Sequence, residues 1–124
     1  MSPILAVGVG GALGSVLRYG LGMGVQRMLG PAFPFGTLFV NVLGSFAIGM
    51  AYVWLLERAA PRAELHLFVS VGVLGGFTTF SAFSLETVML LAQANYVRAM
   101  MNILASLVLC LVATALGVAL ARQF

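Results

Sequence analysis

Four apolar stretches, each long enough to cross a lipid bilayer, take up nearly the whole of this chain. They cover residues 3–29, 36–57, 65–93 and 97–121, with proline, charged and loop residues between them. A membrane-spanning helix needs about 20 predominantly apolar residues. Because 62% of the 124 residues are hydrophobic and only 7% are charged, a soluble domain of this size could not bury the apolar surface. The sequence therefore predicts an all-α integral membrane protein, a single domain of four transmembrane helices over residues 1–124.

The loops carry nearly balanced positive charge on the two sides of the predicted bundle. Short loops predict antiparallel neighbouring helices. With both termini on one side, the arginines of that side are Arg58, Arg62 and Arg122, and those of the other side are Arg27 and Arg98. So small a difference gives little preference for either orientation. We therefore expect dual topology and, because four helices alone cannot enclose a sizeable polar path, an antiparallel homodimer.

Polar residues recur every four positions on two of the predicted spans. The second span carries Thr37, Asn41, Ser45 and Gly49, and the fourth carries Asn102, Ser106, Cys110 and Thr114. This spacing places each set on one helical face. One interpretation is hydrogen bonding between helices, which membrane bundles commonly use. The other is a path for a polar solute, since amide and hydroxyl donors in single file suit a small anion.

Two ionisable residues lie deep in the predicted spans, Arg18 in the first and Glu86 in the third. Charges within a membrane are costly and face the bundle interior or water. Arg18 either packs against backbone carbonyl groups or contacts the solute. Glu86 either binds or gates an ion, or pairs with an arginine.

The remaining polar residues offer little for other kinds of chemistry. His66 has Glu64 nearby but no cysteine or second histidine, which disfavours a side-chain metal site. No nucleophile, base and orienting group occur together, so an enzyme is not expected. The arginines form no basic cluster, so nucleic-acid binding is not expected either.

The stretch Gly75-Gly76-Phe77-Thr78-Thr79-Phe80-Ser81-Ala82-Phe83 interrupts the third apolar span near its middle. Each of the adjacent glycines weakens a helix by roughly 1 kcal/mol relative to alanine. The hydroxyl groups that follow can satisfy backbone groups freed by a break. Broken helices at membrane depth are tolerated where they line a cavity or coordinate an ion. We therefore predict that the third helix is broken near the bilayer midplane.

Phe80 and Phe83 are three residues apart and share one face of the segment after the predicted break. The edge of an aromatic ring is positive and its face is negative. Ring edges turned into a path would therefore attract a small anion, whereas ring faces would attract cations.

Three ordered motifs resemble the Fluc (CrcB-type) fluoride channels of microbes. They are Gly10-Gly11-x-x-Gly14-x-x-x-Arg18-Tyr19, Gly36-Thr37-Leu38-x-Val40-Asn41-x-x-Gly44-x-Phe46-x-x-Gly49 and Gly75-Gly76-Phe77-Thr78-Thr79-Phe80-Ser81-x-Phe83-Ser84-x-Glu86. The resemblance covers nearly the whole chain. It implies a passive, fluoride-selective channel in the inner or plasma membrane that exports the ion and so relieves its toxicity. It also implies an antiparallel homodimer in the lipid bilayer, with two fluoride pores.

The resemblance also implies roles for individual residues. Phe80 and Phe83 would form an aromatic box beside the pores, and Asn41 would donate a hydrogen bond to fluoride. The backbone carbonyl groups of Gly75 and Thr78 would bind one structural Na⁺ at the centre of the dimer, and no organic cofactor is implied.

Further positions follow from the same resemblance. The remaining residues assigned to the fluoride path are Thr79, Ser81 and Ser106, and the structural or vestibule residues are Arg18, Thr37 and Glu86. Asn102 departs from the pattern, because many members have tyrosine there, and Cys110 replaces a small residue or a hydroxyl.

Two other functions fit a four-span chain of this kind. One is a proton-coupled small multidrug exporter of dual topology, for which Glu86 is the sole membrane-embedded carboxylate available. The other is a non-transporting membrane assembly subunit, in which the polar faces only hold helices together.

Overall fold

The structure, a computed structural model, describes residues 2–58 and 60–124. Within these residues, every regular element is helical. The helices long and apolar enough to cross a membrane are Pro3–Leu29, Phe35–Glu57, Ala63–Ala92 and Tyr96–Arg122. This confirms the prediction of an all-α chain with four membrane-spanning helices, and each bound lies within two residues of the predicted one.

The second and third spans are not uniform α-helices. The first span is α1 (Pro3–Leu29), and the second is α2 (Phe35–Tyr52) continued by a π-helical segment, Val53–Glu57. The third span comprises α3 (Ala63–His66), a π-helical segment (Leu67–Leu74), α4 (Gly75–Phe77) and α5 (Phe80–Ala92). The fourth span is α6 (Tyr96–Arg122).

The ends of α1 follow ordinary capping chemistry. The Ser2 hydroxyl accepts a hydrogen bond from the Leu5 amide at 3.1 Å, and Pro3 occupies the first helical turn, where its missing N–H costs nothing. At the other end Gly30 has a φ of +88°, a conformation that glycine adopts without steric cost. Its amide donates to the Gln26 carbonyl at 3.0 Å.

Glycines allow the helices to cross at close range. On α1, Gly10 and Gly14 pack against the backbone of the third span, where a Cβ on Gly10 would lie 2.5 Å from the Phe68 carbonyl oxygen. Gly49 of α2 packs in the same way against the Thr114 carbonyl of α6. Such contacts are typical of membrane bundles, whose helices associate through small residues.

Most of the outer surface of this bundle is apolar. Large hydrophobic side chains stay exposed on every span, for example Ile4 at 87%, Phe80 at 74% and Leu111 at 71%. Lipid is the solvent that such a surface requires. At one end, the Arg122 guanidinium donates two hydrogen bonds to the Glu57 carboxylate, both of 2.9 Å, and ties the ends of the second and fourth spans together.

Candidate functional site

The site is organised by an interruption of the third span at Thr78 and Thr79. Both residues have extended backbone, with φ and ψ of −95° and 158° at Thr78 and −151° and 118° at Thr79. Asn41 of α2 binds this segment twice, since its Nδ2 donates to the Thr79 carbonyl at 2.9 Å and its Oδ1 accepts from the Thr79 amide at 2.7 Å. The Thr79 hydroxyl then caps α5 by accepting from the Ala82 amide at 3.1 Å.

These hydrogen bonds release two backbone carbonyl groups. In a continuous α-helix the Thr79 amide would donate to the Gly75 carbonyl and the Ala82 amide to the Thr78 carbonyl. Both amides are bonded elsewhere, to the side chains of Asn41 and Thr79. The carbonyl oxygens of Gly75 and Thr78 therefore lack their helical donors and are available for another ligand.

A cavity of about 410 Å³, which we call the aromatic cavity, lies beside the interruption. The residues predicted for the site that line it are Asn41, Gly75, Thr78, Thr79, Phe80, Phe83 and Ser106. Cys110 of the fourth-span polar face also lines it. The Phe80 and Phe83 rings are tilted by 47°, with their centroids 5.3 Å apart. The structure thus brings together residues from α2, the third span and α6.

A chain of hydrogen bonds runs behind the aromatic cavity from α6 to α5. The Ser106 hydroxyl donates to Asn102 Oδ1 at 3.4 Å, and Asn102 Nδ2 donates to the Thr87 hydroxyl at 2.9 Å. Thr87 in turn donates to the Phe83 carbonyl at 2.8 Å. Asn102 is only 2% exposed and joins α6 to α5. Ser106, on the same face of α6, lines the aromatic cavity.

A second cavity of about 230 Å³, the Arg18–Glu86 cavity, contains the residues expected to be structural or to form a vestibule. Thr37 donates a hydrogen bond of 2.8 Å to Glu86 Oε2, while the buried Glu86 Oε1 has no partner among the described residues. Arg18 also lines this cavity, and its Nε donates to the Gly76 carbonyl at 3.0 Å. Thus Glu86 binds a hydroxyl, and Arg18 holds the segment before the interruption.

Thr79 lies between the two cavities, because it lines both. Ser81 lies next to it, with its hydroxyl 3.3 Å from that of Thr79. The predicted residues therefore fall into two groups that meet at the interruption.

Two residues that the sequence motifs did not single out take part in this arrangement. Thr87 is buried and links α5 to Asn102, and Gln26 lines the Arg18–Glu86 cavity while binding the loop between α1 and α2. A lone amide side chain in the last turns of an apolar span is the sequence signal that points to Gln26, since polar residues within membrane helices usually serve a specific contact.

Comparison with known proteins places the chain in a family. Residues 5–118 match the family described as "CrcB-like protein, Camphor Resistance (CrcB)". A Geobacter sulfurreducens protein named "Fluoride-specific ion channel FluC" is 50% identical over 99% of both chains. A protein of the same name from Rhizobium meliloti is 48% identical over 98% of both chains. Another, from Thermus thermophilus, is 53% identical over 91% of this chain and 88% of the relative. The chain is a member of the CrcB family.

Proposed function

We propose that this chain is the subunit of a fluoride-selective channel, which lets F⁻ leave the cell passively across the inner or plasma membrane and so reduces its toxicity. The similarity to the relatives named above supports this function. The observation that carries it is the aromatic cavity, in which Asn41, Phe80 and Phe83 meet beside a helix interruption. Conduction of this kind requires donors along a path and no covalent chemistry.

The groups that line the aromatic cavity suit a small anion. Selectivity in a channel depends on pore width and on the groups that replace the hydration shell of the ion. The Asn41 carboxamide has two N–H groups, and only one of them is needed for the Thr79 carbonyl. The second N–H can therefore donate to fluoride, and the positive edges of Phe80 and Phe83 can complete the shell.

We propose that the ion passes from the Arg18–Glu86 cavity to the aromatic cavity beside Thr79. The Arg18 guanidinium would attract anions into the first cavity and offset the charge of Glu86, one oxygen of which accepts a hydrogen bond from the Thr37 hydroxyl. Thr79 and Ser81 would supply hydroxyl donors at the passage between the cavities. Ser106 would then receive the ion at the far wall.

The working unit in this proposal is an antiparallel homodimer of dual topology, with the interruption of each third span near the bilayer midplane. Phe80 is 74% exposed on the single chain, although it lines the aromatic cavity, so a second copy could cover its ring. Two oppositely inserted copies would give two equivalent fluoride paths.

A structural Na⁺ fits the same interruption. The Gly75 and Thr78 carbonyl oxygens have lost their helical donors and line one cavity, and unwound backbone carbonyls are the ligands that membrane proteins use for Na⁺. Each copy would contribute this pair. A bound cation would supply fixed positive charge near an anion path.

Fluoride efflux from liposomes tests the proposed function. Purified protein is reconstituted into vesicles loaded with potassium fluoride, and valinomycin is added while an electrode records external F⁻. We expect rapid, valinomycin-dependent efflux of F⁻ and none from matched vesicles loaded with Cl⁻. Absence of F⁻ efflux, or transport of a cationic drug coupled to protons, would overturn the proposal.

A further inference from the structure

Gln26, in the last turns of α1, binds three backbone groups of the loop that leads to α2. Its Nε2 donates to the Gly30 carbonyl at 2.7 Å and to the Phe33 carbonyl at 2.9 Å. Its Oε1 accepts from the Gly36 amide at 3.0 Å. One side chain therefore fixes both the end of the first span and the start of the second.

The contact with Gly36 serves as a helix cap provided by another helix. The first amides of an α-helix have no partner within the helix, and α2 begins after Pro34, which makes no side-chain cap. Gln26 Oε1 takes that place for the second residue of α2. Gly36 also packs against Gly22 of α1, so closely that a Cβ on Gly36 would collide with the Gly22 carbonyl group.

Gln26 has no N–H group left for an ion. Both hydrogens of its Nε2 are used by the Gly30 and Phe33 carbonyls, and a primary amide has no other donor. The side chain nevertheless lines the Arg18–Glu86 cavity. Its contribution to that cavity must therefore act through the backbone that it holds.

The residue after Gly36 is Thr37, whose hydroxyl donates to Glu86 at 2.8 Å. The start of α2 thus sets the position of this hydroxyl relative to the carboxylate on α5. We propose that Gln26 is a positioning residue for fluoride passage, which holds Thr37 in register with Glu86. This inference rests on the proposed function.

A double-mutant cycle tests the proposal with the liposome assay. Gln26→Met keeps the size of the side chain and removes its three hydrogen bonds. We expect about a tenfold slower F⁻ efflux, the effect of a misplaced hydrogen bond. In a Thr37→Val background, Gln26→Met should slow F⁻ efflux little further, because the Thr37 hydroxyl that Gln26 positions is already absent. Gln123→Met, at an exposed position near the end of the chain, is the matched control and should conduct like the parent.

Each outcome of this cycle decides the proposal. Unchanged efflux from Gln26→Met, or losses that multiply in the double variant, would overturn it. If Gln26→Met does not assemble, Gln26→Ala, which also removes the three hydrogen bonds, is measured in its place. Failure of both variants to assemble would make Gln26 purely structural and overturn the positioning role. Absence of efflux from the parent protein would instead count against the proposed function itself.

Discussion

Asn41 shows how one side chain can both shape a backbone and face a cavity. Its carboxamide pairs with the amide and the carbonyl of Thr79 as a neighbouring strand would. These two bonds satisfy backbone groups that the interruption would otherwise leave unpaired. Within a bilayer each unpaired group of this kind would cost several kcal/mol. The remaining N–H of Asn41 is held in place by the same pair of bonds. Structure and proposed function therefore depend on one residue here.

Asn41→Asp should abolish fluoride efflux while the protein still assembles. The carboxylate keeps the acceptor for the Thr79 amide but loses both N–H donors and adds negative charge. A like charge about 4 Å from the ion costs about 4 kcal/mol at an effective dielectric constant of 20, or about a thousandfold in rate. Liposome efflux and size-exclusion chromatography check this, with Asn95→Asp in the α5–α6 loop as the control. Parent-like efflux from Asn41→Asp would remove Asn41 from the path.

Phe80→Ile should slow fluoride efflux by about tenfold or more, because an aliphatic side chain has no positive ring edge to offer an anion. The stability of the single chain should change little, since the ring is 74% exposed. Phe124→Ile, at an equally exposed phenylalanine with 77% exposure, controls for the loss of an aromatic surface group. Equal efflux from the two variants would argue against a role for the Phe80 ring.

At the scale of the element, the interruption of the third span depends on more than its glycines. The sequence predicts a break within residues 75–83 and attributes the weakness to the glycine pair, whereas Gly75 and Gly76 are helical and the extended residues are Thr78 and Thr79. The reason is the pairing of Thr79 with Asn41, 38 positions earlier in the chain. Local propensity indicates where a helix is weak, whereas the partner that binds the freed groups determines where it opens.

The helix ends were predictable because charges, prolines, glycines or, between the third and fourth spans, the amide residues Gln93 and Asn95 mark them in the sequence. The π-helical segments Val53–Glu57 and Leu67–Leu74 were not, since their composition is that of an ordinary apolar helix. The family resemblance directed attention to the residues of the three motifs, and the structure places many of them around two adjoining cavities, while their roles stay predictions. Gln26 and Thr87 lie outside those motifs, and their roles depend on contacts that only the fold creates.

Gly14→Ala should destabilise the protein by about 1–3 kcal/mol, because its Cβ would collide with the Val73 carbonyl and approach the Phe77 amide to 2.9 Å. At Gly20 on the same helix, an added Cβ would have no atom within 4 Å, so Gly20→Ala should be neutral or stabilising by up to about 1 kcal/mol. Thermal unfolding in detergent, followed through the fluorescence of Trp54, compares the two. Equal midpoints would show that the crossing of α1 with the third span tolerates a methyl group.

At the scale of the whole molecule, the weak charge asymmetry predicts insertion in both orientations. Fusions of a cytoplasmic and a periplasmic reporter to the C-terminus should both be active. Adding two arginines after Phe124 should increase the activity of the cytoplasmic reporter relative to the periplasmic one, because positively charged segments stay on the cytoplasmic side of the membrane. Activity of only one reporter in the unmodified protein would rule out dual topology.

Sodium content tests the proposed cation site independently of conduction. After dialysis of the assembled protein against a sodium-free N-methylglucamine buffer, atomic emission should detect one retained Na⁺ per two chains. Urea-unfolded protein passed through the same buffer is the control and should retain none. Absence of Na⁺ from the dialysed protein, together with full fluoride efflux, would show that the Gly75 and Thr78 carbonyls need no cation.

The hydrogen-bond chain from Ser106 to Phe83 limits what the far wall of the aromatic cavity can do. Every donor in it points the same way, from Ser106 through Asn102 and Thr87 to the Phe83 carbonyl. A hydroxyl has a single proton, so Ser106 can donate to Asn102 or to an anion, but not to both at once. Arrival of an anion at Ser106 would turn this proton away from Asn102 and leave its Oδ1 unpaired. In the proposed channel, the protein would therefore exchange one weak internal bond of 3.4 Å for a bond to the ion, which would favour brief residence over tight capture.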